Sequence, residues 1–72
     1  MRNETLYNVA KRYVDIIESM EHTRDPEKLL DLEEQRIVWH NRLIDLFRRH
    51  HIVFKDREHV NRIAYRLLKE LE

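Results

Sequence analysis

The stretch DPEKLLDLEEQRIVWHNRLIDLFRRHH, residues 25–51, fills more than a third of the chain with no helix breaker inside it. Asp25 is a preferred N-cap because its carboxylate accepts first-turn amide protons, and Pro26 at the next position gives up an amide proton that would go unpaired anyway. At the other end Arg48, Arg49, His50 and His51 stand where the last carbonyls and the negative end of the helix dipole favour cations. The pattern predicts one long helix over about 26–50. Continued further, it would turn Ile52 and Val53 onto the polar arc, so the helix should stop there. Ile52-Val53-Phe54 then reads as a short extended connection whose apolar side chains tuck under the end of a bundle.

On a helical wheel at about 100° per residue, Leu30, Ile37 and Ile44 fall on one line and Leu32, Trp39, Leu43 and Leu46 on a second, with Leu29 and Phe47 between them. The apolar arc spans about 200°, twice what one packing neighbour requires. A helix contacted on two sides is implied. Inside the arc stand three polar residues, Glu33, Arg36 and His40, at about 300°, 240° and 280°. Buried, they would cost several kcal/mol unless they satisfied one another, and Glu33 to Arg36 is an allowed helical pair. They mark either a solvated groove with Arg36 extended along its stem, or a polar layer that fixes register or lines a small ligand site.

The flanks are simpler. Leu6, Val9, Ala10, Tyr13, Ile16, Ile17 and Met20 repeat at three-four spacing and predict helix 1 over about 4–21, capped by Asn3. Asp56 should cap helix 3, about 57–71, whose apolar set is Val60, Ile63, Ala64, Leu67, Leu68 and Leu71. With no Gly and one Pro in 72 residues, turns needing a left-handed residue lack their usual occupant. The expected fold is therefore all-α: one domain, a three-helix bundle with a long central helix antiparallel to both neighbours.

A chain this short gains only about 3 to 5 kcal/mol of net stability from one core, and without Cys it has no disulfide to add. Self-association is the remaining remedy, and the second row, Leu32, Trp39, Leu43 and Leu46, is the expected dimer seam. Residues 1–35 hold 5 basic and 9 acidic groups, residues 36–72 hold 9 and 5, which suits pairing of unlike ends. No apolar run reaches the roughly 18 residues of a membrane span, no signal segment is visible, and a cytoplasmic location is expected.

Little else carries chemistry. Among the five histidines none stands four from another on a helix face, as recurrent zinc sites need, so no metal or cofactor is expected. Ser19, Thr5 and Thr23 lie on no nucleophile turn, and there is no Gly-rich phosphate loop. The function read from these features is a non-enzymatic helical interaction module, a homodimeric regulator or adaptor acting on a protein partner. An alternative is a nucleic-acid binder holding phosphates with Arg48, Arg49, Lys55 and Arg62; against it, the middle helix is too long and its following turn lacks the usual Gly of a helix-turn-helix. A more remote alternative is a small all-helical enzyme with an interhelical site.

Overall fold

The computed structural model describes residues 5–71, and side chains through residue 70. Asn3 and the side chain of Leu71, placed above in a cap and a core, lie outside that description. Three helices, α1 (Leu6–His22), α2 (Pro26–Arg49) and α3 (Arg57–Leu71), account for nearly all of it. No strand occurs among the described residues.

Each helix begins where the chain offers an acceptor. The Thr5 hydroxyl accepts from the Asn8 amide at 3.2 Å, and so caps α1 two residues beyond the expected position. Asp25 accepts from the Glu27 amide at 3.1 Å, with Pro26 in the first turn of α2. Asp56 accepts from the His59 amide at 2.9 Å, while His59 Nδ1 accepts from the Lys55 amide at 3.0 Å. The histidine thus ties the start of α3 from the other side, reaching Lys55, one residue before the cap that a capping-box Glu or Gln would bond.

The end of α2 is closed without glycine. His51 takes a left-handed backbone conformation, φ 59°, just past the cap residue His50. Its amide bonds the Arg48 carbonyl at 3.2 Å and the Ile52 amide bonds the Phe47 carbonyl at 2.8 Å. These two bonds define a Schellman motif. It turns the chain so that Ile52 and Phe54 pack on the core, the Phe54 ring 5.9 Å from that of Phe47. Val53, expected to tuck in with them, points outward and is 83% exposed, because side chains alternate along an extended segment.

The core is built from all three helices: Val9, Ala10, Tyr13 and Val14 of α1, Leu43 and Phe47 of α2, Val60 and Ala64 of α3. The packing order corrects the expected one. α2 is the longest helix and the middle one in sequence, but α1 is the helix against which both others lie, and α2 and α3 touch each other little. The molecule measures 37 × 32 × 22 Å, its thickness about two helix diameters.

Candidate functional site

Glu33, Arg36 and His40 face α1, and the structure brings them together with Tyr13, read from the sequence only as a core residue, and with Asn61, which the sequence reading passed over. The Arg36 guanidinium grips Glu33 in a fork, Nε to Oε1 at 3.0 Å and Nη2 to Oε2 at 2.7 Å. Its side chain is 11% exposed and that of Glu33 40%. Charge-assisted bidentate pairs are the strongest of the common side-chain contacts. On the α1 side, fully buried Tyr13 donates its hydroxyl proton to Asn61 Oδ1 of α3 and also lies within hydrogen-bonding reach of Arg36. The His40 ring sits 5.8 Å from the Tyr13 ring, tilted by 49°. One polar layer thus crosses α2, α1 and α3.

The electrostatics follow from this geometry. The hydrogen bonds from Arg36 hold the Glu33 carboxyl below its ordinary range. Burial raises the Tyr13 phenol against the opposing pull of Arg36. Burial also lowers the His40 imidazole, and the positive charges of Arg36 and Arg57 push in the same direction against a hydrogen bond with Asn41. His40 is neutral near pH 7, and its Nε2 is buried without a hydrogen-bond partner among the described residues. Such an atom lowers stability, by about 1 to 3 kcal/mol where it is a stranded donor or acceptor.

Beside the layer lies an open cleft of about 320 Å³, whose lining includes apolar Ile17, Met20 and Leu29 and polar Arg36, Arg57 and Asn61 but not His40. The sequence carried a signal for the missed partners. On the wheel of α3, with Val60 set to zero, Arg57 projects at about 60°, between Ala64 and Leu68, and Asn61 at about 100°, at the edge of that apolar arc. They are polar residues within or bordering an apolar face, the same mark that singled out Glu33, Arg36 and His40 on α2.

The expected seam residues turn mostly inward. Leu43 is fully buried in the chain's own core, Leu46 packs on that core, and Leu32 is half-buried. The Trp39 ring is covered by the Arg42 and Arg12 guanidinium groups, 4.7 and 5.5 Å from its centre. Cations over an indole face are held by its quadrupole, so Trp39 is partly masked by α1. The apolar side chains that α2 does present to solvent are Leu30, 65% exposed, Ile37, 47%, and Val38, 50%. They share the outward face with Glu27, Asp31, Glu34 and Asn41, all exposed.

Of the four basic residues considered for phosphate contact, Arg49 pairs with Asp45 at 3.0 Å and Arg62 with Glu58 at 3.9 Å, in exposed one-turn bridges. Arg48 and Lys55 are exposed on α2 and on the connection to α3. Among the described residues no group of three or more His, Cys, Asp or Glu could hold a metal ion, and no helix is long and apolar enough to cross a membrane. Compared with protein-family models, curated proteins and solved structures, the chain matches none.

Proposed function

We propose that this chain is a non-enzymatic helical interaction module that works as a homodimer and, in that form, acts on a protein partner as a small regulator or adaptor. The observation that carries the reading is the outward face of α2, where Leu30, Ile37 and Val38 remain exposed on a domain with little net stability to spare. Apolar side chains left exposed on one helix face are the usual material of helix-to-helix association. The Glu33–Arg36–His40 layer has a definite part in this. A bidentate pair fixed against Tyr13 sets the rotation of α2 about its axis, and that rotation decides which side chains face outward. The layer is a positioning device for the exposed face. Specificity of this kind is the best-attested use of buried polar groups in helical assemblies.

Sedimentation equilibrium at tens of micromolar tests the dimer. The reading expects twice the 9.1 kDa chain mass, and expects Ile37→Glu to return the molecule to that chain mass with its helical circular dichroism intact. A wild-type chain that sediments only as the 9.1 kDa species overturns the homodimer. Nucleic-acid binding remains a second reading without a supporting observation of its own, since Arg49 and Arg62 already have carboxylate partners.

A further inference from the structure

From the charges along the exposed face of α2 we infer that the second copy of this chain packs antiparallel, α2 against α2, about a two-fold axis near Ile37 and Val38. The inference rests on the homodimer proposed above and adds its geometry. Three observations lead to it. First, the exposed apolar side chains Leu30, Ile37 and Val38 span two turns of one face, with half-buried Ile44 at its edge. Second, charge on that face changes sign along the helix: Glu27, Asp31 and Glu34 precede the apolar centre, and Arg48 follows it, while Asp45 and Arg49 neutralise one another in a bridge. Third, α2 has 24 residues, about 36 Å of helix, long enough for a second helix to pack along several turns of it.

A two-fold axis makes the interface isologous, the same patch meeting itself. Parallel α2 helices would set Glu27, Asp31 and Glu34 against their own copies, and like charges at close range are repulsive. Antiparallel helices about that axis set Glu27 opposite the partner's Arg48, and Leu30 beside the partner's Ile44. The dipoles of the two helices also oppose in this arrangement, which removes the end-to-end repulsion of parallel neighbours. Antiparallel packing is the arrangement that satisfies both the apolar centre and the charged ends.

The chain has no cysteine, so introduced cysteines report the orientation directly. Leu30→Cys and Ile44→Cys chains are mixed, oxidised gently at tens of micromolar, and separated by mass. Val53→Cys, off this face and highly exposed, measures collisional cross-linking. Circular dichroism of each variant confirms that it is folded, and a Leu30→Cys chain mixed with Asp45→Cys serves where Ile44→Cys is not. The expected product is the mixed Leu30→Cys/Ile44→Cys disulfide at several times the Val53→Cys background, suppressed when Ile37→Glu is added to both chains. A dominant Leu30→Cys homodimer disulfide means parallel packing and overturns the antiparallel geometry. If the unmodified chain sediments as a dimer but no pair exceeds background, the dimer uses another face and the inference fails while the homodimer stands. If the unmodified chain sediments as a monomer, both fail.

Discussion

Replacing Glu33 by Leu should cost more stability than replacing Arg36 by Leu, although Glu33 is the more exposed of the two. The reason is what each deletion leaves behind. Glu33→Leu strands a guanidinium whose side chain is 11% exposed and whose hydrogen bonds in the fork both went to the carboxylate removed. Removing one member of a buried pair costs about 3 to 5 kcal/mol, because the other charge is left uncompensated. Arg36 borders an open cleft and can extend toward water, which lowers the figure to about 2 to 4 kcal/mol. Arg36→Leu instead leaves a carboxylate that is 40% exposed and can be hydrated where it stands. Its loss is the charge-assisted hydrogen bonding alone, about 1 to 2 kcal/mol after solvent screening. The double variant should be less damaging than Glu33→Leu by itself, since no charge is stranded. Urea titrations followed by far-ultraviolet circular dichroism measure all three. They are best run with added sucrose, which strengthens burial, because a domain of this size has only about 3 to 5 kcal/mol to lose. If Arg36→Leu costs as much as Glu33→Leu or more, or both lie within half a kcal/mol of wild type, the layer is not the constraint described here.

Two further outcomes follow from the backbone and the imidazole. His51→Gly should raise stability by about 0.5 to 1 kcal/mol: a left-handed residue with a Cβ costs about 1 to 2 kcal/mol, partly offset by the greater freedom of glycine in the unfolded chain. A lower urea midpoint for His51→Gly would count against the Schellman geometry. For pH, His40 has its folded value depressed below the ordinary 6.5, so the unfolded chain binds the proton more readily. Its contribution is complete above pH 6.5 and is lost as pH falls through the depressed value, with Glu33 adding a second loss below its ordinary 4.5. Thermal midpoints measured from pH 7 downward should fall in two stages, and His40→Phe should flatten the first; a first stage unchanged by His40→Phe would show that another group carries it.

Spacing and end signals in the sequence carry most of the architecture. Asp25-Pro26 and Asp56 act as the caps they resemble, because a side chain two or three residues from the amide it bonds needs no tertiary contact to act. Which helix pairs with which was not legible. A wide apolar arc on α2 says that much of it is covered, but not by what. In the structure part of that arc meets α1, part is occupied by the polar layer and part faces solvent. The seam residues illustrate the limit. Leu32, Trp39, Leu43 and Leu46 project as one row, yet Leu43 is fully buried while Trp39 sits under Arg12 of another helix. A wheel gives the angle of a side chain and not the neighbour it meets. The polar layer itself was legible as an anomaly, three polar residues in an apolar arc, whereas its completion by Tyr13 and Asn61 depends on residues 48 apart in sequence.

Because α2 and α3 are each secured through α1 and hold each other weakly, local opening should not be uniform. Detaching α3 sacrifices its contact with α1 and exposes Phe47 and Val60, but leaves the α1–α2 hairpin assembled. Detaching α1 leaves nothing for either remaining helix to rest on. The amides of α1 should therefore exchange with solvent only through global unfolding, and those of α3 through a smaller, cheaper excursion. The domain then behaves as a two-helix foldon with a dismountable third helix, and α3 is the element that a chaperone, protease or binding partner would lift first.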